Sequence, residues 1–154
     1  MKYPIGIQSF DQIIEDGYVY VDKTDLVYKL VKEGKIYFLS RPRRFGKSLL
    51  ISTLKSYFQG KKDLFKGLAI DKLETEWAEY PVFHIDFNGG FFDKDGELQK
   101  RIMGYVETWE SQWGKDPFNE EIGMRFAYVL KQAHAKTGKR AVVLIDEYDK
   151  PLLD

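Results

Sequence analysis

SRPRRFGKSLL, residues 40–50, is the stretch on which the reading of this chain turns. Before it lies a short apolar run, Ile36 to Leu39, rich in β-formers and too short for a helix. After it, Leu50, Leu54, Tyr57 and Phe58 fall at helical spacing, so a helix is predicted from near Gly46 to about Phe58. Strand, glycine-bearing loop and helix, in that order, are the setting of a phosphate-binding loop, G-x-x-x-x-G-K-[ST]. Gly46, Lys47 and Ser48 match its second half, while Arg41 occupies the first glycine position. Gly46 would let the backbone approach an anion closely, and the N–H groups and dipole at the helix start favour negative charge. Lys47 is expected to reach the β- and γ-phosphates of a nucleoside triphosphate, and the Ser48 hydroxyl to ligate Mg²⁺. Arg43, Arg44, Phe45 and Leu49 complete the expected nucleotide-binding loop. Pro42 fixes its own φ and biases Arg41 toward an extended conformation, so rigidity replaces the missing glycine. A bare Gly-Lys-Ser could equally be a helix-capping glycine beside a solvated lysine; its position between strand and helix favours phosphate.

A second stretch, AVVLIDEYD at 141–149, is an apolar run ending in two acids. It has the form of a Walker B strand. A buried parallel strand projects its last side chain into the crevice where α/β sheets bind ligands. Asp146 is expected to hold Mg²⁺, and Glu147 to orient and polarise an attacking water. A strand that merely ends in solvated acids is the plain alternative, and alone it would be preferred. The two stretches together outweigh it. Their charges are complementary, with Arg41, Arg43, Arg44 and Lys47 in one and Asp146, Glu147 and Asp149 in the other.

Working outward, Asp22 can cap a helix whose Leu26, Val27, Leu30 and Val31 share a face, with Gly34 placed to end it. YVYVD at 18–22 reads as a short strand. PVFHIDF at 81–87 reads as a strand with Pro81 at its start; Asp86 near its end could face the site, though a structural hydrogen bond is the preferred reading. Leu98, Ile102, Val106, Trp109 and Trp113 mark one amphipathic helix, and Ile122, Phe126, Val129, Leu130 and Ala133 a second, stopped by Gly138. The tryptophans read as core or interface anchors. Apolar strands alternating with helices predict an α/β architecture with a mostly parallel sheet covered on both faces.

Composition narrows the function classes. The chain has 154 residues, 44% apolar and 31% charged, with 24 basic residues balanced by 24 acidic ones. That balance argues against a large nucleic-acid footprint, though the arginine cluster could hold phosphate or a nucleic-acid strand locally. There is no cysteine, and the two histidines are isolated, so no transition-metal site is expected. The N-terminus lacks the apolar core of a signal peptide, and no run is long enough for a transmembrane helix. A cytoplasmic protein is expected.

IGIQSF at 5–10, YVDKTDLV at 20–27, RPRRFGKSLL at 41–50 and IDEYDKPLL at 145–153 together resemble the bacterial AAA-ATPase-like proteins, a divergent P-loop group. The resemblance spans essentially the whole chain. It implies ATP as the nucleotide, Mg²⁺ as its ion, and a three-layer P-loop NTPase fold with another strand lying between the loop strand and the Walker B strand. It also implies that residues 1–34 form an N-terminal extension and 35–154 a partial core, truncated after the Walker B strand. Family members commonly continue into sensor residues and a PD-(D/E)XK nuclease-like domain. Nucleic acid is thus an expected partner through a domain beyond this chain, and self-association is expected through an uncovered strand edge.

The function expected is an ATP-binding and ATP-hydrolysing module that couples nucleotide state to conformational change, with Lys47 and Glu147 catalytic. Two alternatives stay open on the residues. One is a non-catalytic nucleotide-gated scaffold or nucleic-acid platform. The other is a small-molecule kinase, disfavoured because Glu147 beside Asp146 would activate water.

Overall fold

In the computed structural model, which describes residues 2–4, 9–33, 47–87 and 96–146, the chain divides into two units, Met1–Glu79 and Tyr80–Asp154. The strand expected at 36–39 and the loop residues 40–46 lie outside the described residues, as does everything after Asp146.

The first unit contains α1 (Phe10–Glu15), α2 (Thr24–Glu33), α3 (Lys47–Phe58) and two single 3₁₀ turns, Lys62–Phe65 and Ala69–Lys72. Asp22 starts α2 as expected: its Oδ1 accepts from the Thr24 N–H at 2.9 Å and from the Thr24 hydroxyl at 2.6 Å. The same residues tie in the second 3₁₀ turn. Ala69 N–H donates to Asp22 Oδ2 at 2.8 Å, and Ile70 N–H to the buried Thr24 Oγ1 at 3.0 Å. Burial opposes ionisation of Asp22, but the bonds from Thr24 and Ala69 outweigh it and hold the carboxyl below its ordinary range. This network sets the roll of α2. Thr24, Val27 and Val31 turn inward, whereas Leu26, expected on the same face, is 55% exposed.

YVYVD forms no strand; only Tyr18 makes an isolated bridge, to Lys2. The Asp22 carboxylate is drawn into the helix cap, and Val21 faces solvent, so among the described residues the run has the Lys2 bridge beside it but no alternating buried face to hold it extended.

An aromatic cluster makes the core of this unit. Phe10 and Phe65 are fully buried and stack at 4.7 Å between centroids. Tyr20 meets Phe10 edge-on at 5.3 Å, and Trp77 lies 5.2 Å from Phe65 and 5.9 Å from Tyr57. α3 terminates in a Schellman turn, in which Lys61 N–H donates to the Ser56 carbonyl at 3.1 Å and Gly60 takes φ 70°. A Cβ at Gly60 would come within 3.0 Å of the Trp77 carbonyl oxygen, so this position needs glycine for space as well as for φ.

The second unit contains β1 (Val82–Asp86), α4 (Glu97–Trp113), α5 (Ile122–Thr137) and β2 (Val142–Asp146). All four were expected, with boundaries within a residue or so. Among the described residues β1 and β2 form a two-stranded parallel sheet, registered from Val82↔Val142 to Asp86↔Asp146. The protein is therefore α/β.

Phe83 is the keystone of the second core. It packs on buried Val129 and Ala133, with Trp109, Trp113, Leu130 and Ala141 around it. Trp109 meets it edge-on at 5.1 Å, so both tryptophans serve as core anchors. α4 and α5 are also joined by a bidentate pair: Arg125 Nε and Nη2 donate to the two Glu110 oxygens at 2.9 and 2.6 Å, both side chains buried. The hydrogen bond from Arg125 holds the Glu110 carboxyl below its usual range. One expectation fails here. Val143 and Ile145 share a sheet face with Phe83 and Ile85, yet they are 39% and 41% exposed. The core centred on Phe83 covers β1 and leaves the β2 part of that face open.

Candidate functional site

α3 begins at Lys47, so Lys47 and Ser48 occupy the first turn of a twelve-residue helix. The first turn is where backbone N–H groups are left without helical partners and where the dipole is positive. Leu49, the third described residue of the expected nucleotide-binding loop, is half-buried one position further on. Arg43, Arg44, Phe45 and Gly46 lie outside the described residues.

The helix behind this turn is firmly held. Phe10 N–H donates to Ser52 Oγ at 2.9 Å, and Thr53 Oγ1 donates to the Leu49 carbonyl at 2.7 Å. Tyr20 shares a hydrogen bond with the same Thr53, and burial pushes its hydroxyl pKa up to about 12. Residues 9–20 thus brace α3 through two consecutive hydroxyl side chains. The apolar spacing of the helix gave no sign of this, because Ser52 and Thr53 lie off the stripe of Leu50, Leu54, Tyr57 and Phe58.

In the second unit, Asp146 is the last residue of β2, with 6% of its surface exposed. It sits at the carboxyl end of a parallel pair, in register with Asp86 at the end of β1. Phe87 N–H closes the ladder by donating to the Asp146 carbonyl at 3.1 Å. On the far side of β1, Asp86 meets α4. Its N–H donates to the Tyr105 hydroxyl at 3.1 Å, and its carbonyl accepts from that hydroxyl at 3.1 Å and from Arg101 Nη1 at 3.0 Å. Asp86 therefore does serve as a hydrogen-bonding group, and its backbone N–H and C=O both take part. Glu147 lies outside the described residues.

The donor set suits a hard cation. Mg²⁺ is usually held by one or two carboxylates, with phosphates and waters filling the other positions. A single carboxylate at a parallel-strand end could serve as such a ligand. Among the described residues, no group of three or more His, Asp or Glu side chains is placed to form a protein-only metal cage.

A family model described as "Predicted AAA-ATPase" matches residues 4–154. The chain belongs to that family. As an AAA-ATPase-like chain it is consistent with a nucleotide-binding module of the P-loop class. It is 45% identical over 155 residues to an "Uncharacterized protein in vnfD 5'region" of Azotobacter chroococcum mcd 1. That alignment covers 99% of this chain and 30% of the relative, so the AAA-ATPase-like chain spans less than a third of that protein's length. No solved structure matches it. No helix among its described residues is long and apolar enough to cross a membrane.

Proposed function

We propose that this AAA-ATPase-like chain binds Mg²⁺–ATP through Gly46, Lys47, Ser48 and Asp146, and hydrolyses it with Glu147. One observation carries most of the weight. Within a family described as an AAA-ATPase, Lys47 and Ser48 open a helix and Asp146, itself buried, closes a parallel strand, the positions that phosphate binding and metal binding require.

Each residue has a distinct task in this reading. The N–H groups of Gly46, Lys47 and Ser48 receive phosphate oxygens, and the Lys47 ammonium stabilises the charge that grows on the β- and γ-phosphates. Arg43, Arg44, Phe45 and Leu49 complete the wall of the loop. The Ser48 hydroxyl and the Asp146 carboxylate hold Mg²⁺, which neutralises phosphate charge when bound. Glu147 accepts a hydrogen bond from the attacking water and aligns it with the γ-phosphorus. The catalytic core is proposed to be a three-layer P-loop NTPase running from 35 to 154, with 1–34 as an N-terminal extension that braces α3. Such a module would work in the cytoplasm and pass its nucleotide state to the rest of a longer protein. Self-association and nucleic-acid binding belong to that longer protein in this reading.

Calorimetric titration of ATP with and without Mg²⁺ tests the assignment. Mg²⁺ is expected to tighten ATP binding in the parent, and Asp146→Asn to lose about tenfold or more of that gain, the usual scale for a perturbed metal ligand set. ATP affinity indifferent to Mg²⁺ in the parent would remove Asp146 from this role. Tight binding with no turnover would leave a nucleotide-gated scaffold.

A further inference from the structure

We propose that Tyr105 and Arg101 of α4 are positioning residues for Asp146, acting through a single peptide plane. The inference rests on the reading above, in which Asp146 holds Mg²⁺.

In a parallel ladder, alternate residues of a strand turn their backbone groups toward the neighbour. Val142 N–H donates to the Pro81 carbonyl and Phe87 N–H to the Asp146 carbonyl, so the odd-numbered residues of β1 face β2. Asp86 consequently turns its own N–H and C=O outward, away from β2. At an ordinary sheet edge these groups would meet water or another strand. Here the Tyr105 hydroxyl takes both, and Arg101 adds a second donor to the carbonyl. Arg101 and Tyr105 are one helical turn apart, so they reach the same point from one face of α4.

The Asp86 carbonyl and the Phe87 N–H belong to one planar peptide unit. On one side that plane receives Arg101 and Tyr105; on the other it donates to Asp146. Its tilt is thereby fixed from both ends, and a charged donor on the carbonyl polarises the N–H toward a stronger bond. The Tyr105 ring is itself anchored. It stacks on Trp109 at 5.5 Å, which in turn meets Phe83 at 5.1 Å in the core. A rigid chain of contacts thus runs from the packed centre of the unit to the backbone of the proposed metal ligand. A carboxylate that must meet a metal within a fraction of an ångström requires such support.

The test uses Tyr105→Phe and Arg101→Gln in the full chain, with ATP affinity measured in EDTA and across a Mg²⁺ titration. Both variants should keep the parent's metal-free ATP affinity, which depends on the phosphate loop. The Mg²⁺ concentration that half-saturates the tightening of ATP binding should rise about tenfold, as for other residues that orient metal ligands. Val129→Ala opens the same core without touching Asp86 and should leave that concentration at the parent value. Should Tyr105→Phe fail to fold, Arg101→Gln carries the comparison alone. An unchanged Mg²⁺ dependence in the variants, or an equal shift in Val129→Ala, would overturn the inference while leaving the ATP site standing. A parent that shows no Mg²⁺-dependent ATP binding would overturn the underlying reading and the inference with it.

Discussion

Glu147→Gln is expected to bind Mg²⁺–ATP as the parent does and to hydrolyse it about 10²-fold or more slowly, the usual scale for losing a general base. The substitution keeps the size and planarity of the side chain and removes only the negative charge that accepts a proton from water. In the proposed reading binding is set elsewhere, by the first turn of α3 and by Asp146, so affinity should not move. Single-turnover hydrolysis beside equilibrium ATP binding separates the two effects. Hydrolysis at the parent rate would make Glu147 a bystander and favour an acceptor other than water.

The second large effect is on stability. Phe83→Ala should cost about 3–5 kcal/mol, the range for deleting a fully buried phenyl ring. Phe83 is 1% exposed and is shared by Trp109, Trp113 and Phe126 across α4 and α5. Removing it leaves these side chains facing a void that β1 cannot fill, because its partner β2 holds its register. Chemical denaturation followed by tryptophan fluorescence reads this directly, since two of the three tryptophans pack against Phe83. A loss below about 1 kcal/mol would mean that the core collapses around the gap and is not organised by this ring.

Legibility of the fold followed the length of each repeating pattern. α4 and α5 carry their apolar spacing over several turns, and β2 is an unbroken apolar run, so each was placed nearly to the residue. The 3₁₀ turns at Lys62–Phe65 and Ala69–Lys72 were not found. Phe65 and Ile70, both fully buried, lie in short apolar patches, Leu64–Phe65 and Leu68–Ile70, bounded by charged residues and Gly67 and too short to show a period. Leu26 was assigned inward because it lies four residues before Leu30 and was grouped on one face with Val27 and Val31. The roll of α2 is decided instead by the bonds from Asp22 and Thr24 to residues 69 and 70, some 46 positions away in sequence.

The candidate site divides in the same manner. The placement of Lys47 and Ser48 at a helix start and of Asp146 at a strand end was readable from the pattern around them; their proposed roles rest on the particular side chains that phosphate and metal chemistry demand at such places. Arg101 and Tyr105 were not readable, because they bond to backbone groups, which no side-chain motif records. Asp86 was noticed for its carboxylate, yet its clearest contacts run through its peptide groups.

The central claim is that the first turn of α3 binds the phosphates of ATP, and one measurement tests it most directly. Isothermal calorimetry of Mg²⁺–ATP on Lys47→Ala should show at least a tenfold weaker affinity than the parent, about 1.4 kcal/mol or more, because the cation best placed against the β- and γ-phosphates is gone. Equal affinity in parent and variant would show that nucleotide, if bound, is held elsewhere, and the phosphate-loop assignment would be wrong.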